Sequence, residues 1–323
     1  METDTRLSRY SIEPLLDEDG NPIHVRRPSP FDVERYKLMA RRRILTCEWI
    51  GAALGQNPDA VVDRFNLLKR KPNLWVKLAD EVVSNQRQYL FMPLFHELDS
   101  RAITYLHEAG INIPKRKIVK NFQHQAMTDQ VMTSFEIGCR ENPSIEMIHW
   151  PEIVASPRAP EALKESAFEG IPVEYRYKGE TYRRTVRADD MPFGFRRKLD
   201  GRQSYIFTGG PEIDCATEPI ETSDFSRSAI NTKLMAYLTI LNQGLFSTYL
   251  GVPNYFIPFY TGSVRRMESM MRMLDKLTDG KGSKNILFAT HPSIYAAKKA
   301  EPSGKALTQA YKRVGHPDFY LNK

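Results

Sequence analysis

The sequence predicts a mixed α/β protein built from two domains. Three observations point there: capped amphipathic segments crowd residues 29–70, two short alternating stretches follow them, and beyond residue 120 strand-like and helix-like stretches take turns. The 323 residues, 41% of them hydrophobic, are enough to give each domain a core.

Residues 1–28 carry charge and proline with few apolar side chains and read as an arm. Ser29, Pro30 and Asp32 then supply an N-cap, a proline at the first helical position and an acidic third residue. The helix they start should run to about Arg43. Thr46 caps a second helix, Cys47 to Leu54, which Gly55 closes. Asn57-Pro58-Asp59 starts a third, with Val61, Val62, Phe65 and Leu68 on one face, and Pro72 stops it. Residues 74–78 and 89–94 alternate as strands around a polar turn at 84–86, and a further helix covers 99–109. Three helices and a β-ribbon are the order of a winged helix-turn-helix, here over residues 29–114. In such a module the third helix enters a major groove and the ribbon turn touches backbone or minor groove, which makes Arg64, Asn66, Lys69, Arg70 and Arg87 the candidate DNA contacts. Asp59 and Asp63 on the same helix would repel phosphate, and a winged helix can also serve as a dimerisation or protein-docking module.

Pro114 and the run Lys115-Arg116-Lys117 mark a boundary, after which 115–290 form the second domain. Its expected elements are a long helix near 122–140, a strand around 145–150 and a Pro-rich loop at 151–160. A hairpin of 173–177 and 181–187 turns at Lys178-Gly179-Glu180. A strand from 204 continues through Gly209-Gly210-Pro211 to Asp214, and a helix capped by Asp224 covers 225–250. The strand 254–259, the helix 264–277 and the strand 286–289 complete it, and 291–323 read as a basic tail.

An excess of 46 Lys and Arg over 39 Asp and Glu gives a net charge of +7 and favours a polyanionic partner, double-stranded DNA. The three cysteines, Cys47, Cys139 and Cys215, lack metal-ligand spacing and suit a reducing compartment rather than a disulfide framework. No apolar run has the length of a membrane span and the first residues lack a signal peptide's apolar stretch, so the expectation is a cytoplasmic protein without a membrane partner.

The chemistry-bearing residues lie in the second domain. Asp189 and Asp190 follow the hairpin, Glu212 and Asp214 share one face of a strand, and Lys233 and Tyr237 share one face of the next helix. Carboxylates gathered at neighbouring strand ends can hold Mg²⁺ or Mn²⁺, and a nearby lysine can stabilise charge on a phosphate. The bland alternatives are solvated strand-end carboxylates, a surface Lys233, and a core Tyr237 among Ile230, Leu234, Leu238 and Leu241. Arg183-Arg184 and Arg196-Arg197-Lys198 flank the acidic residues and can grip a DNA backbone or form a solvated face.

The ordered set Glu212-Ile213-Asp214-Cys215-Ala216-Thr217-Glu218, followed by Lys233 and Tyr237, resembles the signature of the replication-relaxation family. These are plasmid and phage proteins with an N-terminal winged helix and a domain similar to PD-(D/E)XK nucleases. The resemblance covers most of the chain, from the helix-turn-helix at 37–70 to the strand ending near Ala289. It implies a nuclease-like mixed sheet flanked by helices, with Asp189 as the Asp of the Pro-Asp pair, Glu212 and Asp214 as the acidic pair of the central strand, and Lys233 as a lysine moved to the next helix. The implied catalytic set is Asp189, Glu212, Asp214 and Lys233, with the three carboxylates on Mg²⁺ or Mn²⁺. Ala188 stands where the pattern has proline, Asp190 competes with Asp189, and the triplet Glu-Ile-Asp lacks its strand lysine. The function implied is DNA binding in plasmid or phage replication or mobilisation. The chain then acts as a metal-dependent endonuclease or nickase, or as a non-catalytic accessory or structural protein that keeps the fold as a scaffold. A relaxase or replication protein and further copies of the chain are the partners compatible with it.

Overall fold

The computed structural model describes residues 15–16, 22–23, 25–85, 93–111, 113, 121–166, 168–199, 201–225 and 227–323. Two units make up this mixed α+β protein: Met1–Thr133 with Glu301–Ser303, and Ser134–Ala300 with Gly304–Lys323.

In the first unit β1 (Leu15–Leu16) pairs with β2 (Pro22–Ile23), and three helices follow, α1 (Pro30–Arg41), α2 (Cys47–Leu54) and α3 (Pro58–Leu68). Local chemistry sets their ends. The Ser29 hydroxyl accepts the Asp32 N–H at 3.2 Å while the Asp32 carboxylate accepts the Ser29 N–H at 2.8 Å, a reciprocal cap. The Asn57 side chain accepts the Asp59 N–H at 2.8 Å, and Gly55, at φ 65°, ends α2. β3 (Val76–Leu78), α4 (Asp80–Asn85), β4 (His96–Leu98), α5 (Ser100–Glu108) and α6 (Phe122–Glu141) come next. β3 and β4 are antiparallel, and Leu45 adds one rung by bridging His96. Trp75 sits fully buried between Tyr36, stacked at 6.0 Å, and the edge of Tyr105 at 5.7 Å.

The ribbon differs from expectation. Its second strand lies at His96–Leu98, and Asp80–Asn85 is a helix because Ala79 and Val82 bury at helical spacing. The expected wing residue Arg87 and all but the end of the expected strand 89–94 lie outside the described residues. The division between the units also falls later than Pro114, within α6, because Asp129 on its first half accepts the N–H groups of Arg43 and Ile44 at 3.0 and 2.9 Å.

The second unit continues with β5 (Ile145–Ile148), α7 (Trp150–Val154), α8 (Glu161–Glu165), and the hairpin β6 (Ile171–Tyr177) and β7 (Glu180–Val186). Then come β8 (Phe193–Leu199), β9 (Arg202–Thr208), β10 (Glu212–Asp214), α9 (Ile230–Asn242), α10 (Leu245–Leu250) and β11 (Ile257–Thr261). The chain closes with α11 (Val264–Leu277), β12 (Ile286–Thr290), α12 (Lys305–Thr308), β13 (Tyr311–Arg313) and β14 (His316–Phe319). One sheet has the order β10-β11-β12-β13-β14, with the first three strands parallel and the last two antiparallel. β11 is buried throughout, as a parallel strand covered on both faces must be, and α9 and α11 contribute Leu234, Ile240, Met270 and Leu274 to its core. A second sheet, β5-β8-β9, adjoins it through the bridge of Thr208 to Phe256, so that β9 passes through Gly209-Gly210-Pro211 into β10.

Several expectations are corrected here. The Pro-rich stretch 151–160 is not all loop: α7 runs into it from Trp150, with Pro151 in its first turn and Glu152 accepting the His149 N–H at 3.0 Å, and α8 starts just after it. The helix expected from 225 starts at Ile230, where the Ala229 N–H bonds the Thr232 hydroxyl at 3.2 Å, so Asp224 does not cap it. Arg196-Arg197-Lys198 belong to β8, and Arg196 pairs with Glu146 at 2.8 Å. The expected basic tail is instead α12 and two sheet strands, with Leu307, Tyr311 and Leu321 fully buried. Among the described residues no helix is long and apolar enough to cross a membrane.

Candidate functional site

β10 carries Glu212 and Asp214 on either side of Ile213, and strand alternation sends both from one face. Both are buried, with 4% and 6% exposure, yet they meet different partners. Tyr237 on α9 donates its hydroxyl to Glu212. Lys233, one helical turn earlier, places Nζ 3.4 Å from Glu212 and 3.2 Å from Glu218. Asp214 accepts the Thr261 hydroxyl at 3.0 Å and both arms of the Arg266 guanidinium, at 2.8 and 3.0 Å. Arg266 also reaches the Glu218 carbonyl at 2.6 Å, and the Ser228 hydroxyl donates to the Glu218 carboxylate at 2.7 Å. Arg266 and Lys233 thus tie the segment after β10 to α11 and α9.

Asp189 reaches this group from the segment after β7, its carboxylate accepting the Ile213 N–H at 2.6 Å. The approach depends on Gly210, at φ 95°, where a Cβ would stand 2.5 Å from the Asp190 carbonyl oxygen. Asp190 turns its own carboxylate to the Met191 N–H at 2.7 Å, so of the two competing aspartates it is Asp189 that faces β10.

Asp189, Glu212, Lys233 and Tyr237 line an open pocket of about 370 Å³, together with Arg184 and Arg187. Burial and the neighbouring Asp189 push the Glu212 carboxyl up to about 7, against the opposing pull of Lys233 and Tyr237. Burial would lower the Lys233 ammonium, but Glu212, Asp189 and Glu218 outweigh it and raise it, so the lysine stays charged. Burial, and then Glu212, raise the Tyr237 hydroxyl, which keeps its proton for the carboxylate.

Of the residues singled out in the sequence, Asp189, Glu212 and Lys233 line one pocket, and Asp214 does not line it. As a metal ligand Asp214 is set back by its place outside the pocket and by the Arg266 cation bound across both of its oxygens, whereas Glu212, whose oxygens meet Tyr237 and Lys233, faces the pocket. Among the described residues no group of three or more His, Cys, Asp or Glu side chains is placed to hold a metal ion. Mg²⁺ is commonly held through only one or two carboxylates with water completing its shell, and the carboxylates that line this pocket are Asp189 and Glu212. Tyr237 is buried in the core as expected, and its hydroxyl adds a partner for Glu212. Arg266 and Thr261 were missed. The signal for Arg266 was an arginine in the first turn of α11, where the helix dipole disfavours a cation unless a carboxylate compensates it.

In the first unit, Arg64 is corrected as a DNA contact. Its guanidinium holds the fully buried Asp32 at 2.6 Å, and Arg35 holds the same carboxylate at 3.0 Å. Asn66 and Lys69 are half-buried on α3 and just after it, Arg70 is exposed, and Arg87 lies outside the described residues. No family model, no curated protein and no solved structure matches the chain.

Proposed function

We propose that the chain is a DNA-binding protein of plasmid or phage replication or mobilisation, and that its second unit is a metal-dependent endonuclease or nickase. The observation that carries this is the meeting of Asp189, Glu212 and Lys233, from three separate elements, in the wall of one open pocket that also holds Arg184 and Arg187. Asp189 and Glu212 would hold Mg²⁺ or Mn²⁺, which would supply charge neutralisation at a phosphate and activation of a water. Lys233 faces the negative charge that grows on the phosphate during cleavage, kept protonated by the carboxylates around it. Tyr237 fixes Glu212 by its hydrogen bond, and the Asp214–Arg266 pair anchors the end of β10. In the first unit α1 to α3 and the β3–β4 ribbon act as a winged helix-turn-helix, with Asn66, Lys69 and Arg70 toward DNA.

The test is nicking of supercoiled plasmid with Mg²⁺ and with Mn²⁺, beside the Glu212→Gln protein. Wild type should nick, and Glu212→Gln should be slower by about a hundredfold or more while it still binds DNA. Inert wild-type protein overturns the enzymatic reading. The arginine clamp on Asp214 favours one other reading, since an acidic group neutralised by the protein's own cations can stand as a scaffold. The chain is then a non-catalytic accessory that brings DNA to a relaxase or replication protein, and wild type and variant bind DNA alike without cutting it.

A further inference from the structure

β6 and β7 form a seven-residue antiparallel ribbon whose two faces differ completely. Inward, Val173 and Tyr175 are buried, and Tyr177 and Tyr182 pack on Phe225 with ring centroids 4.0 and 5.3 Å away. Arg184, also inward, donates to the Phe225 carbonyl at 3.1 Å. This aromatic anchoring holds the ribbon as a fixed platform. Outward, the register sets Pro172 opposite Thr185, Glu174 opposite Arg183 and Arg176 opposite Thr181, and all six residues are exposed. Lys178 at the turn and Arg187 just beyond β7 are exposed too. The outer face thus carries Arg176 and Arg183 against Glu174, with two threonine hydroxyls between them and Arg187 just beyond, while Lys178 at the turn lies over the inward Tyr177 ring at 5.4 Å. The positive row leads somewhere: the end of β7 and Arg187 form part of the pocket wall beside Asp189 and Lys233.

We propose that this outer face is a second DNA-contacting surface, on which the phosphate backbone of a duplex lies as it enters the pocket. The inference rests on the DNA-binding function proposed above and names where the second unit meets its substrate. A two-stranded β-ribbon has the width that a major groove admits, and threonine hydroxyls beside arginines are ordinary phosphate partners. Arg183 pairs with Glu174 at 2.5 Å, but the pair is solvent-exposed, so a phosphate can take the guanidinium at little cost. Glu174 is the opposing charge on this face, and its removal should act in the reverse direction.

The experiment is a mobility-shift titration of the full chain on a mixed-sequence duplex across a range of salt. Arg176→Gln with Arg183→Gln should weaken binding about tenfold and flatten the salt slope by about two, one for each phosphate that no longer meets an arginine. Glu174→Gln should tighten binding. All three side chains are exposed, so unchanged melting temperatures serve as the control for folding. Binding that persists with the same affinity and slope in both variants overturns this surface alone. A wild-type chain that binds no duplex at low salt removes the DNA-binding function and the surface with it.

Discussion

Arg64 and Arg266 are each held by a carboxylate, Asp32 in the first unit and Asp214 in the second. A buried carboxylate needs such a partner, because its charge is costly to strip of water and the guanidinium returns that cost through paired hydrogen bonds. Asp32 follows this rule: burial would raise its carboxyl, but the bonds from Arg64 and Ser29 outweigh that and hold it below the usual range. Glu212 goes the other way, since the like charge of Asp189 adds to its burial and leaves the carboxyl near 7. Between the ordinary carboxylate value and about 7, folded Glu212 keeps a proton that the unfolded chain has released, so its contribution to stability is full at low pH and falls as pH rises through that window. His96 and His291, pushed down to about 4 by burial, give the opposite slope in the acid range. The informative quantity is therefore the difference between wild type and Glu212→Gln. The variant keeps the shape of the protonated carboxyl and should gain stability over wild type from pH 5 to pH 8, by on the order of 2 kcal/mol at the alkaline end. Urea unfolding at a series of pH values measures it, and a difference that stays flat with pH contradicts the raised carboxyl.

Among the elements, the bend between β9 and β10 decides whether Asp189 reaches the pocket. A methyl group at Gly210 would meet the Asp190 carbonyl at 2.5 Å on a backbone at φ 95°. Gly210→Ala should destabilise the fold by about 1–3 kcal/mol. It should also push the segment carrying Asp189 off β10, lowering nicking while DNA binding persists. Thermal melting with the plasmid assay checks both, and an Ala variant that melts and nicks like wild type removes Gly210 from the site's construction. The parts legible in the sequence are those that local chemistry sets. Ser29 and Asn57 announce their helices through caps, Lys178-Gly179 announces the hairpin turn, and α11 falls at 264–277 as its periodicity predicts. The parts that were not depend on distant partners. β8 looks like a charge run until Glu146 and Ser204 appear across from Arg196 and Arg197. Phe225 looks like the start of a helix but is drawn off to stack on Tyr177. The site divides the same way. Strand alternation puts Glu212 and Asp214 on one face, but Asp214 is claimed by an arginine 52 residues on, which no local spacing predicts.

At the scale of the whole molecule, the C-terminal segment changes most between sequence and structure. Its lysines and glycines suggest an irregular tail, yet Glu301–Ser303 fall with the first unit and Gly304–Lys323 with the second. Within the second unit the segment completes a sheet. β13 pairs with β12, Tyr311 and Tyr260 share a hydroxyl hydrogen bond of 2.5 Å, and the Ala306 N–H bonds the Ser134 hydroxyl at 2.9 Å. Close packing reinforces it: a Cβ on Gly138 would stand 2.6 Å from the Leu307 side chain. A chain ending at Ser303 would lose three fully buried side chains, Leu307, Tyr311 and Leu321, and leave the β12 edge unpaired. Each such side chain is worth about 1.5–3 kcal/mol of burial. In a unit of this size the combined loss should lower the melting temperature by more than about 10 °C. Calorimetry of the chain ending at Ser303 should show the second unit's transition shifted down or absent. The first unit, which keeps Glu301–Ser303 and its Trp75–Tyr36 core, should melt where it does in the full chain. A shortened chain whose transitions match those of the full one would mean that these strands do not stabilise the sheet they extend.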